Sequence, residues 1–195
     1  VVMDSNSCDV LLKGTKYEGA VQGVVVVAMD WYSRSVVSVR VVENAELSID
    51  VSFAILDMMR PMPLRPGWGD ELRWPFAGVP EAMLGVNASG RPVVIPESTV
   101  LDHGTPYKNH LVVRNQEQLG VSILPARTYT GSDKGIIERF FGSLKTGLLE
   151  QLTGFRGSDV SERGERIDDD VHFDAQALED LILYWCVRNW QNHAM

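Results

Sequence analysis

Basic residues are what this chain is shortest of. It has 18 Lys and Arg against 26 Asp and Glu, a formal net charge of −8 and a pI near 5.0. Nucleic-acid-binding domains usually carry a basic footprint, so composition alone counts against that class. Two facts soften the objection: carboxylates that ligate metal ions are neutralised by them, and basic regions can lie beyond the two ends. Cysteine is almost missing. Cys8 and Cys186 are far apart and lack the spacing of a metal cluster or disulfide framework. Two buried free thiols in a reducing cytosol are the expectation. Long apolar runs are missing too. The longest, Gly23 to Met29, has strand length, far below the roughly 20 residues of a membrane span. No basic start with a cleavage site marks a signal peptide, and there is no internal repeat or low-complexity segment. No membrane partner is expected.

With 195 residues, 45% of them hydrophobic, the chain can build one domain with a real core. Val1–Val10 reads as a strand carrying Asp4, with Asp9 five residues on and so on the opposite side of a regular strand. Ala20–Met29 is a second strand whose continuous valines predict burial on both faces. Asp30 opens a turn with a structural role, and Ser35–Val42 alternates as a third strand, giving an antiparallel meander. Leu47, Val51, Ala54, Ile55 and Met58 recur at helical spacing, predicting a helix over Ala45–Arg60 that Pro61 stops. Residues 61–92 read as an insertion or long loop, with Trp68 and Trp74 as anchors to the core. A fourth strand is expected over Val93–Leu101, a helix over Tyr107–Leu119 capped by Gly120, and a short strand at Val121–Leu124. A further helix, capped by Ser132 or Asp133, runs to about Leu152. The acidic run Asp168–Asp170 reads as a solvated turn, before a last helix from the cap Asp174 through Trp190. The order β-β-β-α-β-α-β-α-α predicts an α/β fold, a mixed five-stranded sheet with helices on both faces.

Three carboxylates stand out. Asp4 lies in the first apolar run, Asp102 ends the fourth, and Glu138 sits in the amphipathic helix. In that helix Ile137, Phe140, Phe141, Leu144 and Leu148 form an apolar stripe. Lys134, Glu138 and Lys145 fall within about 40° of one another beside it. Brought together by a fold, such carboxylates suit two Mg²⁺ ions, which are hard and prefer oxygen ligands. A pair of these ions can activate an attacking oxygen and stabilise a leaving one in phosphoryl transfer. On residue chemistry alone, salt bridges and helix caps explain the trio as well, because with 26 acidic residues some triple always looks arranged.

The motifs go further. V-L-D-H-G-T-P-Y-K-N from Val100 to Asn109 resembles the second-Asp motif of the DDE transposase and retroviral-integrase superfamily. G-I-I-E-R-F-F-G-S-L-K from Gly135 to Lys145 resembles its Glu helix, including a basic residue seven positions after the Glu. Thirty-five residues, 103–137, separate Asp102 from Glu138, the family's characteristic interval. V-V-M-D at Val1–Asp4 resembles the first-Asp strand, and A-M-D-W-Y-S-R at Ala28–Arg34 the turn after the second strand. G-F-R-G-S-D at Gly154–Asp159 and the ending L-Y-W-C-V-R-N-W-Q-N-H resemble the Mu-transposase branch. Two departures stand: Ser5-Asn6 follows the first Asp where the family often has Thr or His-Thr, and the 97 residues between Asp4 and Asp102 are many, consistent with an insertion.

The resemblance implies a ribonuclease-H-like fold and a single catalytic core over 1–195, with flanking DNA-binding domains outside it. A start within a strand and an end directly after a helix fit such an excised core. It implies Asp4, Asp102 and Glu138 as catalytic ligands of two Mg²⁺ or Mn²⁺ ions, and Lys145, with Lys134 and Arg139, as DNA contacts. The implied reaction nicks an element end with water, and the freed 3′-hydroxyl then attacks target DNA. Implied partners are element-end and target DNA, further copies of the chain, and an ATPase that selects targets. The implied location is the bacterial cytoplasm, at the nucleoid during action. A ribonuclease-H-like nuclease and a degenerate, non-catalytic DNA-binding or assembly domain are the alternatives.

Overall fold

The valines that crowd the first third of the chain build the centre of a sheet. In the computed structural model, residues 1–16, 18–60, 93–101, 106–125, 135–157 and 171–191 are described. The expected insertion at 61–92 lies outside them, as do Ser132, Asp133 and the run Asp168–Asp170. The strands are β1 (Val2–Lys13), β2 (Ala20–Met29), β3 (Val36–Glu43), β4 (Ser98–Leu101) and β5 (Ser122–Pro125). The helices are α1 (Ser48–Met58), α2 (His110–Gln118), α3 (Gly135–Gly147) and α4 (Ala175–Trp185). A 3₁₀ turn at Leu149–Gln151 follows α3, and a π-helical turn at Cys186–Trp190 continues α4. The sheet order is β3-β2-β1-β4-β5. The first three strands form the expected antiparallel meander, while β4 runs parallel to both β1 and β5.

The sheet is covered on both faces, as the valine runs predict. Val25 and Val27 belong to a core shared with α3 and α4; Val26 and Ala28 belong to one shared with α1. β-Branched residues pack well on a pleated surface buried this way. Phe140 is the hub of the first core. Its ring meets Trp190 edge-on at 5.1 Å and Trp185 at 6.3 Å, which joins α3 to the end of α4.

Local chemistry trims the elements relative to the sequence pattern. α1 starts at Ser48 because Leu47 is extended and the Asp50 carboxylate accepts its N–H at 2.9 Å. α2 starts at His110 because the Asn109 side chain accepts from Leu111 N, and it stops before Gly120, at φ +70°. β4 is shorter than expected. Pro96 has no N–H for a ladder, and Val94 N–H instead donates to Met58 O at the end of α1. The edge of β3 is closed by polar side chains from the last helical segment. Glu179 accepts from Val41 N at 2.9 Å, Trp190 Nε1 donates to Arg34 O at 2.8 Å, and Gln191 Nε2 donates to Val36 O at 2.9 Å. An edge strand tied down like this offers less template for pairing with another chain.

Both cysteines are buried free thiols. Burial pushes the Cys8 thiol up to about 11 and raises Cys186 further. Among the described residues, no helix is long and apolar enough to cross a membrane.

α3 ends where it meets α4. A Cβ built on Gly147 would lie 2.9 Å from the Trp185 indole. A rigid, buried ring cannot yield cheaply, so Gly147→Ala is expected to destabilise the fold by about 1–3 kcal/mol in urea unfolding. At the β2–β3 turn, burial alone would raise the Asp30 pKa. The Ser33 hydroxyl and N–H donate to its carboxylate and outweigh burial, holding it below the usual carboxylate range. A lowered folded-state pKa gives stability that is present above the unfolded pKa and lost as pH falls through the folded value. The stability gap between wild type and Asp30→Ala should therefore be full at neutral pH and shrink in acid below about 4. A gap independent of pH would contradict this account.

Candidate active-site cleft

A cleft of about 370 Å³ opens between β1 and α3, within the size range of small ligand sites. Asp4, Asn6 and Asp9 line it from β1, and Glu138, Gly142 and Lys145 line it from α3. Its apolar floor includes Val25, Phe141 and Leu144. The local sequence explains why α3 presents this edge. Ile137, Phe140 and Leu144 are buried in the core, and that stripe fixes the rotation of the helix. Residues 138, 142 and 145 follow it at i, i+4 and i+7, on one neighbouring edge.

Asp4 is half-buried, and its Oδ1 accepts from Ser5 N at 3.0 Å. The Ser5 hydroxyl donates to Glu46 at 2.8 Å, which ties this part of β1 to the connection before α1. Glu138 is exposed at the mouth of the same cleft. Two carboxylates more than a hundred residues apart in sequence therefore share one opening. Their hard oxygen donors, with no Cys or His among the described lining residues, suit Mg²⁺ or Mn²⁺ rather than a thiophilic metal. Among the described residues, no group of three or more His, Cys, Asp or Glu is arranged to hold a metal ion.

Asp102 and Lys134 lie outside the described residues. Asp102 follows Leu101, the last residue of β4, by one peptide bond, and β4 joins β1 through the pair Val2 and Val100. Arg139 is exposed on α3 and is not among the described lining residues. Lys145 does line the cleft. Its ammonium lies 2.8 Å from Asp9 Oδ2 and 5.9 Å from the centre of the Phe155 ring.

Asp9 corrects the sequence reading. A regular strand would turn it away from Asp4, yet both line the same cleft. The register against β2 shifts between Cys8 and Leu11, so Asp9 sits in a bulge. The bulged stretch pairs elsewhere: Arg156 N donates to Asp9 O at 2.7 Å, and Leu11 N to Gly154 O at 2.9 Å. A bulge re-aims side chains and breaks the two-residue alternation on which parity arguments rest. No residue type in S-N-S-C-D-V announces it. The signal lies in the partner segment, Gly154–Arg156, whose pairing only the tertiary structure reveals.

No protein-family model matches the chain, and no curated protein does. Among solved structures, the BIV integrase catalytic core domain is similar at a TM-score of 0.41 and 15% identity, over 74% of this chain and 65% of that one. A chain of the simian T-cell lymphotropic virus intasome in complex with PP2A regulatory subunit B56 gamma is similar at a TM-score of 0.39 and 17% identity. That match covers 74% of this chain and 38% of the other. The chain thus spans less than two thirds of either neighbour.

The Asp9–Lys145 pair is about a third exposed on both sides, where ion pairs are worth little. Asp9→Asn is expected to change folding stability by at most about 1 kcal/mol, with less effect at high salt. A larger loss in urea unfolding would make the pair a structural element instead of a loose surface contact.

Proposed function

We propose that this chain is the catalytic core of a DNA transposase or integrase, most like the Mu-transposase branch, cutting DNA ends and joining them to target DNA. The observation that supports this best is the meeting of Asp4 and Glu138 in one cleft, since these are two of the three carboxylates that the motifs single out. Asp102 would complete the set. Two Mg²⁺ or Mn²⁺ ions held by Asp4, Asp102 and Glu138 would supply an activated attacking oxygen and a stabilised leaving oxygen. The chain's own residues position the substrate. Lys145 offers a cation beside the carboxylates, and Lys134 and Arg139 are proposed for outlying phosphates. Acting on DNA ends in pairs calls for further copies of the chain, and the Mu-like motifs point to an ATPase partner for target choice, at the bacterial nucleoid.

One observation favours a second reading. Nucleases of ribonuclease-H-like type commonly use a fourth acidic residue, and Asp9 now lines the cleft. Its ion pair with Lys145 and its place five residues along β1 from Asp4 argue against a ligand role. Joining of a cut end to target DNA separates the readings, since a nuclease cuts without joining.

Calorimetric titration with Mn²⁺ is expected to show saturable binding in the wild type and its loss in Asp4→Asn, Asp102→Asn and Glu138→Gln. Strand transfer should fall by on the order of 10³ in each variant, the scale of losing several kcal/mol of charge stabilisation. Equal Mn²⁺ binding and equal transfer in all four proteins would remove the assigned site.

A further inference from the structure

Gly142 is in the interior of α3, where glycine is a poor choice. An interior glycine costs a helix about 1 kcal/mol relative to alanine. Such a residue is usually explained by a positive φ, a close neighbour or a ligand. The first two fail here. Gly142 has helical backbone with no positive φ, and a Cβ built on it would meet none of the described residues within 4 Å. Gly147, five residues on in the same helix, is the counterexample: there a Cβ would strike Trp185. Among the described residues, packing therefore accounts for Gly147 at the end of α3 and not for Gly142 in its interior.

What Gly142 does touch is the cleft. It is exposed and lines the opening one turn after Glu138 and three residues before Lys145. All three lie on one helix edge, with the glycine between a carboxylate and an ammonium. That leaves a bare strip of helix backbone where a side chain would otherwise project. We propose that Gly142 is where the sugar-phosphate backbone of a bound DNA strand lies against α3, held between the metal-side carboxylate Glu138 and the cation of Lys145. The inference rests on the DNA-processing reading and adds a contact to it. A β-carbon at this point would hold the strand away from Glu138 and Lys145 while improving the helix.

The test uses stability and DNA binding together, on this chain, with a fluorescein-labelled duplex oligonucleotide of mixed sequence at low salt in the presence of Mg²⁺. Gly142→Ala is expected to raise Tm by about 2–4 °C and to weaken binding by about fivefold or more. Gly142→Leu should weaken it further. Ser143→Ala is the comparison: Ser143 is on the same helix, outside the described cleft lining. It should also raise Tm and leave binding unchanged. If Gly142→Ala binds like the wild type while Lys145→Ala binds more weakly, the Gly142 contact is wrong and the DNA reading stands. A lowered Tm for Gly142→Ala would give the glycine a folding role and overturn the inference. If the wild type does not bind, or Lys145→Ala binds equally well, the DNA reading fails and takes this inference with it.

Discussion

The seating of α3 on the sheet is the constraint on which the site depends. Ile137, Phe140 and Leu144 are each buried, at roughly 1.5–3 kcal/mol per side chain. They share a core with Val25 and Val27 of β2 and with Leu178 and Ile182 of α4. Rotating α3 by even one residue would withdraw this stripe and expose it. The edge carrying Glu138, Gly142 and Lys145 is held directly by a partly exposed ion pair from Lys145 to Asp9, worth little beside the buried stripe. It faces the cleft because the adjacent stripe faces the core. Phe140 strengthens the arrangement, since its edge-on contacts with Trp185 and Trp190 fix α3 against the last helical segment.

That last segment does two jobs. Its apolar face fills the core beside α3, and its polar side chains close the β3 edge through Glu179, Trp190 and Gln191. The sheet is thereby held from its centre and from one edge. β1 gains from both. It is flanked by β2 along its length, met by β4 at Val2, and taken up beyond Cys8 by Gly154–Arg156. Asp4 to Ser7 lie between these two anchorages and line the opening, on a strand rigid enough to aim them.

The chain's acidity takes on local meaning in this setting. Three carboxylates, Asp4, Asp9 and Glu138, face one small cleft beside a single described cation, Lys145. Asp9 is paired with Lys145, while Asp4 and Glu138 approach the opening from β1 and α3.

Most of the architecture was legible in the residues themselves. Continuous valines in β2 predict two covered faces, the 3.6-residue recurrence of Ile137, Phe140 and Leu144 predicts a one-sided helix, and the side chain of Asp174 marks a helix start. These signals are local, set by neighbours within a turn or two, so sequence alone determined them, together with the identity of Asp4 and Glu138 as the carboxylates to watch. What sequence could not determine was long-range. The length of β4 depended on Val94 bonding to Met58. The facing of Asp9 depended on a bulge created by pairing with Gly154–Arg156, nearly 150 residues away. The crowding of Gly147 by Trp185, where Gly142 meets none of the described residues, depended on where α4 docks. In each case alternation or periodicity fixes what one element would do alone, and the segment that packs against it, from a distant part of the chain, decides what it does in the fold.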